Sequence, residues 1–249
     1  MDAPSTPREV FQVEIRTRDL KKAMSFYGAV FDWKIYPSAP DYALIDSGAM
    51  PVIALFETRD PRFPLGVANN VLVEDCQKEG DRAVKLGGSI CVRKFVVPNQ
   101  GAYVGTLDPW GNELFFWEPF TAGRPNLKGS KKNPVVLLEI ATPDLDTATK
   151  YYSTLCGWSF WGVVFADNYA FAEGCGLQRG VGLISGPAAR AIGTTDYVAV
   201  ADLAEAVAKV GEAGGRVVVE PAEFPGEGKF FVFEDTEGNR MGALQRPPA

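Results

Sequence analysis

The stretch FQVEIRTRDLKKAMSFYGAVFDW (residues 11–33) recurs as VLLEIATPDLDTATKYYSTLCGW (residues 136–158), at a displacement of 125 residues. Eight of the 23 aligned positions are identical: Glu14/Glu139, Ile15/Ile140, Thr17/Thr142, Asp19/Asp144, Leu20/Leu145, Ala23/Ala148, Tyr27/Tyr152 and Trp33/Trp158. Further along, at a displacement of 127, the turn sequence DPWGN at residues 108–112 recurs as DTEGN at residues 235–239. A repeat this long is a domain, because solenoid units have periods of about 20 to 50 residues.

Each copy begins with a pattern that predicts a strand followed at once by a helix. Phe11, Val13 and Ile15 alternate with polar residues, which is typical of a strand with one face on a core. Asp19 and Asp144 are predicted N-caps, and apolar residues follow both at helical spacing. The same step recurs within each copy, and its helix ends at Gly-Gly, at residues 87–88 and 214–215. Each domain is therefore predicted to contain two strand–helix–strand–strand–strand units.

The predicted domains are residues 8–120 and 134–247. Residues 121–133 between them are rich in Gly, Pro, Ser and Lys and have no apolar periodicity, which is typical of a linker. The total length of 249 residues agrees with two ordinary domains.

Composition excludes several classes of protein. A net charge of −6 has the wrong sign for a nucleic-acid binder. No run approaches the roughly 18 apolar residues of a membrane span, and the first residues do not resemble a secretory signal, so we expect a cytoplasmic protein that does not enter membranes. The four cysteines lack CxxC spacing and are expected to be reduced packing residues. We expect a monomer or a homodimer.

The sequence contains no histidine, so any chemistry has to proceed without imidazole. It also has no serine in a nucleophile elbow and no glycine-rich phosphate loop. These observations give no support to covalent catalysis or to nucleotide binding.

The repeated strand, the Asp-Leu helix start with its later tyrosine, the tryptophan after the helix and the Asp-x-x-Gly-Asn turn together resemble the vicinal-oxygen-chelate superfamily. That superfamily holds glyoxalases, bleomycin-resistance proteins and extradiol dioxygenases, and the tandem form without histidine is similar to the actinobacterial 27-kDa-antigen and hydroxylase-like type. The resemblance implies an α+β fold with two tandem domains. In each domain, two βαβββ units form a curved eight-stranded sheet around a funnel, with the helices outside.

The resemblance also implies where metal ligands would stand. The corresponding positions are Gln12, Ala54, Ala68 and Phe115 in the first domain and Leu137, Gly182, Thr195 and Gly242 in the second. Only Gln12 can coordinate a metal, whereas a catalytic site needs about three protein ligands. We therefore expect no metal site and no other cofactor; a weak magnesium site formed by Glu14 and Glu113 is the remaining alternative.

Strand alternation predicts which side chains face the funnels. The predicted ligand-binding residues are Gln12, Glu14, Asn70, Tyr103, Glu113, Phe115, Trp117, Glu139, Tyr197, Phe230 and Arg240. Glu14 and Glu139 are the catalytic candidates, either as orienting acceptors or as bases. Alternatively, they form ion pairs with Arg16 and Arg240 that only hold the sheets. Trp33 and Trp158 are expected in the cores.

The function that we predict is metal-independent binding of small, partly aromatic organic molecules, for sequestration, resistance or sensing. One alternative is a metal-free lyase, isomerase or hydroxylase-like enzyme that uses Glu14 or Glu139 as a proton acceptor. Another is a degenerate pair of domains that acts through protein partners. The sequence alone identifies neither the ligand nor the funnel that binds it.

Overall fold

The computed structural model describes residues 3–121, 132–163, 166–186, 193–224 and 228–246. The chain repeats a strand–helix–strand–strand–strand unit four times, as the sequence predicts. The first half contains β1 (Val10–Thr17), α1 (Leu20–Phe31), β2 (Lys34–Ala39), β3 (Tyr42–Asp46), β4 (Val52–Glu57), β5 (Gly66–Leu72), α2 (Cys76–Lys85), β6 (Ser89–Val97), β7 (Gly101–Leu107) and β8 (Glu113–Pro119). The second half contains β9 (Val135–Thr142), α3 (Leu145–Cys156), β10 (Trp161–Val163), β11 (Ala166–Ala172), β12 (Gly180–Ser185), β13 (Thr194–Ala199), α4 (Leu203–Glu212), β14 (Arg216–Phe224), β15 (Gly228–Glu234) and β16 (Arg240–Gln245). Most of the predicted linker, residues 122–131, lies outside the described residues.

The strands form two eight-stranded sheets with the same internal order. The first runs β2-β3-β4-β1-β5-β8-β7-β6 and the second β10-β11-β12-β9-β13-β16-β15-β14. Both are mixed: β1 is parallel to β4 and β5 to β8, whereas the β2–β4 and β6–β8 strands pair antiparallel. The predicted α+β class is confirmed, with two tandem eight-stranded sheets and four helices among the described residues.

The helices begin and end where the sequence indicates. Asp19 and Asp144 cap α1 and α3, because each carboxylate accepts a hydrogen bond from the backbone N–H three residues later. Asp75 and Asp202 cap α2 and α4 in the same way. No helix among the described residues is long and apolar enough to cross a membrane.

Alternation along β1 divides its side chains between two faces. Val13 and Ile15, with their register partners Ile53 and Leu55 on β4, are completely buried. Because α1 packs against β4, these residues form the core beneath the helix. The intervening residues of β1, including Glu14, therefore occupy the opposite face.

Two compact units divide the described fold, and each takes elements from both halves of the chain. The first compact unit consists of Met1–Phe11, Ala68–Pro125 and Leu137–Thr194. The second compact unit consists of Gln12–Val67, Asn126–Val136 and Thr195–Ala249. Within each unit, residues that recur in both copies of the repeat form hydrogen bonds from one copy to the other.

In the second compact unit, three buried side chains connect the copies. The Tyr27 hydroxyl donates to Asp235 Oδ2 over 2.9 Å. Asn239 Nδ2 donates to the Arg16 carbonyl over 2.8 Å. Trp33 Nε1 donates to the backbone carbonyl of Asn133 over 2.9 Å.

The first compact unit contains the same three bonds between the corresponding residues. Tyr152 donates to Asp108 over 2.8 Å, and Asn112 Nδ2 donates to the Ala141 carbonyl over 2.9 Å. Trp158 Nε1 donates to the Arg8 carbonyl over 2.7 Å. Both repeated tryptophans are buried, as predicted, and their rings stack on the repeated tyrosines. The residues that mark the repeat in the sequence are thus the residues that tie one copy to the other.

Candidate functional site

A chain of hydrogen bonds joins β1 to β3 in the second compact unit. Gln12 Nε2 donates to the Tyr42 hydroxyl oxygen over 2.6 Å, and the Tyr42 hydroxyl donates to Glu14 Oε2 over 3.1 Å. Since β4 lies between β3 and β1 in the sheet, the Tyr42 side chain has to extend across β4 to reach them. We call Gln12, Glu14, Arg16 and Tyr42 the polar cluster.

Arg16 completes the polar cluster from the same face of β1. Its Nε lies 3.8 Å from Glu14 Oε1, and its Nη1 donates to the Pro64 carbonyl over 3.4 Å. The guanidinium group also lies 5.4 Å from the ring centre of Phe63, within the range of a cation–π interaction. The ion pair that the sequence offers as the structural role of Glu14 is therefore present, although the other carboxylate oxygen accepts the Tyr42 hydroxyl. The guanidinium side chain is only 2% exposed, whereas that of Glu14 is 17% exposed.

Aromatic rings border the polar cluster. The ring of Phe56 lies 5.9 Å from that of Tyr42 and 5.8 Å from that of Phe63. Phe56 directly opposes Tyr42 in the β3–β4 register and Arg16 in the β1–β4 register. The arrangement offers hydrogen-bonding groups next to an apolar edge, which is the composition of small-molecule sites.

A second group of predicted ligand-binding residues forms an aromatic cluster in the first compact unit. The ring of Tyr103 lies 5.7 Å from Phe115, 6.4 Å from Trp117 and 5.4 Å from Phe95. Asn70 opposes Phe115 in the β5–β8 register. Glu113, on the same face of β8, has its Oε1 4.0 Å from the Cys91 sulfur.

The predicted residues of the second half divide between the two compact units. Glu139 opposes Gly182 on β12 as Glu14 opposes Ala54 on β4, so the two glutamates occupy equivalent register positions. In the second compact unit, the rings of Tyr197 and Phe230 are 6.0 Å apart. Tyr197 opposes Gly242, two residues from Arg240, so the tyrosine and the arginine share a face.

The structure thus joins Gln12 to Glu14 and Tyr103 to Phe115 and Trp117, but these two clusters belong to different compact units. Sequence reasoning missed Tyr42, Phe56 and Phe63. One signal was present for Tyr42, because a tyrosine recurs at residue 169, at the later displacement of 127.

Three of the four cysteine thiols are poor nucleophiles at neutral pH. All four cysteines are free, as predicted. Burial raises the pKa of the Cys76 and Cys175 thiols to about 12 and raises the pKa of Cys156 well above its ordinary value. These three thiols therefore remain protonated at neutral pH.

The residues at the implied ligand positions do not fit a divalent metal. Of the four positions in the first half only Gln12 has a donor atom, and its amide nitrogen already donates to Tyr42. The Phe115 ring lies against its neighbouring strand, so that a Cβ on Gly105 would lie 2.7 Å from the ring. Among the described residues, no group of three or more Cys, Asp or Glu side chains is placed to hold a metal ion.

The sequence model of the Glyoxalase/Bleomycin resistance protein/Dioxygenase superfamily matches residues 135–242. The second half is thus similar to this superfamily, and because the first half has the same strand order, the described chain has the tandem vicinal-oxygen-chelate architecture. It is 25% identical over 248 residues to "Putative glyoxylase CFP32" of Mycobacterium tuberculosis and of Mycobacterium bovis, covering 95% of this chain and 94% of each relative.

Solved structures share the fold across nearly the whole chain. The 2,3-dioxygenase LapB from Pseudomonas sp. KL28 superposes with a TM-score of 0.63 at 12% identity, over 98% of this chain and 96% of that one. The Mn(II)-bound glyoxalase from Novosphingobium aromaticivorans superposes with a TM-score of 0.61 at 12% identity, over 96% and 82%. At these identities the similarity shows the fold alone.

Proposed function

We propose that the protein binds small organic molecules with an aromatic ring and a hydroxyl group at the polar cluster, without a metal ion. Such a binder would act in sequestration, resistance or sensing. The observation that carries this proposal is the hydrogen-bonded chain from Gln12 through Tyr42 to Glu14, which lies beside the Phe56 ring and is not fully buried.

The chemistry of the polar cluster suits a phenolic ligand. A carboxylate accepts a hydrogen bond from a ligand hydroxyl, and a charged acceptor makes the stronger bond. The Gln12 amide and the Tyr42 phenol can each donate or accept, so they can adapt to a second hydroxyl. Rings such as Phe56 add edge-to-face or offset contacts with an aromatic ligand. Structures that share the fold include proteins named as catechol 2,3-dioxygenase, 2,2',3-trihydroxybiphenyl 1,2-dioxygenase and homoprotocatechuate 2,3-dioxygenase, so catechol is the first ligand to test.

Calorimetric titration with catechol in the presence of a chelator tests this function. Phenol and cyclohexane-1,2-diol are the comparison ligands, because they remove one hydroxyl and the aromatic ring respectively. We expect saturable binding of catechol, weaker binding of phenol and none of the saturated diol. The Tyr42→Phe variant should weaken binding, whereas Tyr36→Phe, at an exposed position on β2, should not. Absence of catechol binding by the intact protein would refute the proposal.

A second candidate is a metal-free enzyme in which Glu14 accepts a proton. The observation that favours it is the hydroxyl of Tyr42, which is placed between the Gln12 amide and the Glu14 carboxylate. Against it, Arg16 Nε already lies 3.8 Å from Glu14 Oε1, so the carboxylate takes part in an ion pair, which suits the role of a fixed hydrogen-bond acceptor. Mass spectrometry of catechol incubated with catalytic amounts of protein separates the candidates, because only an enzyme makes more product than there are protein molecules.

A further inference from the structure

Tyr42 and Tyr169 are the same residue of the repeat in two different settings. Tyr42 on β3 opposes Phe56 on β4, and Tyr169 on β11 opposes Ile184 on β12. Ala54 precedes Phe56 by two residues, and Gly182 precedes Ile184 by two residues. Ala54 opposes Glu14 in the strand register, and Gly182 opposes Glu139. Each tyrosine ring therefore extends toward a strand position that is an alanine in one copy and a glycine in the other.

The Tyr169 ring lies directly on the backbone of Gly182. A Cβ on Gly182 would overlap the phenol oxygen and would lie 2.5 Å from Cζ and 2.9 Å from Cε1. No side chain fits there unless the ring moves, because real Cβ atoms do not approach other atoms so closely. Tyr169 is only 4% exposed, whereas Tyr42 is half-buried.

We infer that Ala54 is a positioning residue that keeps the Tyr42 ring off β4, and that Gly182 lets Tyr169 close the equivalent face in the second half. The first half is then the half that binds ligand. The claim that the first half binds ligand rests on the proposed function, whereas the positioning role of Ala54 does not. The methyl group of Ala54 occupies the volume that corresponds, in the second half, to the Tyr169 ring over Gly182. The Tyr42 ring therefore cannot lie against the β4 backbone, and its hydroxyl forms hydrogen bonds with Gln12 and Glu14.

Another difference between the halves agrees with a closed second face. Leu137, which is 3% exposed, replaces Gln12 and removes the amide. It lies in the same compact unit as Tyr169 and replaces a polar position of the first half with an apolar one.

Nitration by tetranitromethane, read at each tyrosine by peptide mass spectrometry, tests the inference on the full chain without any ligand. Tyr36, which is 53% exposed, is the internal reference. In the wild-type protein Tyr42 should react about tenfold faster than Tyr169, since a buried side chain reacts only through local opening. The Ala54→Gly variant should slow Tyr42 about tenfold relative to Tyr36.

Matched variants separate positioning from general loosening of the fold. Ala54→Ser keeps a Cβ and should leave Tyr42 at the wild-type rate. Ala243→Gly removes a methyl group from a buried strand position in the same compact unit and should not slow Tyr42. Gly182→Ala should accelerate Tyr169, whereas Gly162→Ala, where a Cβ meets nothing within 4 Å, should not.

The Ala54→Gly result decides the inference even if Gly182→Ala fails to fold. An unchanged Tyr42 rate in Ala54→Gly would overturn it, and so would an unchanged Tyr169 rate in a folded Gly182→Ala protein. Saturating catechol should protect Tyr42 from nitration, and protection of Tyr169 instead would overturn the assignment of the first half. If catechol protects neither residue, the proposed function fails, whereas the ligand-free rates still decide the positioning role of Ala54.

Discussion

Removing the hydroxyl of Tyr27 should destabilise the protein, because that hydroxyl joins the two copies of the repeat within the second compact unit. The Asp235 carboxylate accepts four hydrogen bonds. They come from the Tyr27 hydroxyl, from the backbone N–H groups of Glu237 and Asn239, and from the Asn239 side chain, at 2.8 to 2.9 Å. Tyr27→Phe removes one of these donors and keeps the buried ring, so it creates no large cavity.

The expected loss follows from the charge of the acceptor. A hydrogen bond to a charged group contributes about 1.5–3 kcal/mol, and because Asp235 retains three donors we expect about 2 kcal/mol. That loss is a large fraction of a typical unfolding free energy of about 5–15 kcal/mol. Urea unfolding followed by circular dichroism measures it, provided that the denaturant dependence of the unfolding free energy is unchanged.

Two further variants calibrate the result. Tyr152→Phe removes the corresponding bond to Asp108 and should cost a similar amount. Tyr36→Phe removes an exposed hydroxyl and should stay within about 0.5 kcal/mol of the wild type. If Tyr27→Phe is as stable as Tyr36→Phe, the bonds between the copies do not hold them together and our account of the repeated tyrosines is wrong.

Three other predictions concern pH, the glutamate and the tryptophan. Burial, followed by the adjacent Asp235 or Asp108 carboxylate, raises the pKa of Tyr27 and Tyr152 well above the ordinary value of 10.0, so the folded state retains protons that the unfolded state releases. The stability present below pH 10 should therefore fall as the pH rises above it, by up to about 1.4 kcal/mol per pH unit for each tyrosine, and urea titrations of Tyr27→Phe should show a shallower fall. Glu14→Gln should weaken catechol binding about tenfold, because it removes charge from the acceptor, and should lower the melting temperature only as far as the ion pair with the buried Arg16 guanidinium contributes to stability; unchanged affinity with a large loss of stability would leave Glu14 only its ion pair with Arg16. Trp33→Phe should cost at least about 1–2 kcal/mol, because it removes the bond to the Asn133 carbonyl and also leaves a cavity where the buried indole packs, and equal urea midpoints for variant and wild type would contradict this.

The local parts of the fold could be predicted because their causes are close together in the sequence. Asp19 caps a helix whose first turn follows it immediately, and the alternation of β1 is complete within eight residues. Gly87 and Gly214 stand at helix ends and have positive φ angles of 97° and 87°. Such features depend on neighbours in the chain, which the sequence shows directly.

The contacts between copies could not be predicted, because nothing in one sequence fixes the register between distant segments. Tyr27 and Asp235 are separated by 208 residues, and both belong to repeated motifs that have an equally good local partner in their own copy. Tyr42 was missed for a related reason. Its role depends on crossing β4 to reach β1, and this order of strands is a property of the sheet.

The side chains that join the two copies are identical in both, whereas several side chains at the candidate site differ between the copies. The tyrosine, tryptophan, aspartate and asparagine that join the copies occur in both copies and form corresponding bonds in the two compact units. The positions that differ at or beside the polar cluster include Gln12 and Leu137, Arg16 and Ala141, and Ala54 and Gly182. None of these six side chains takes part in the bonds that join the copies. A change from alanine to glycine beneath a tyrosine can therefore close one face of one copy while leaving those bonds intact, so the duplicated fold can retain a binding site in one half and use the other as its support.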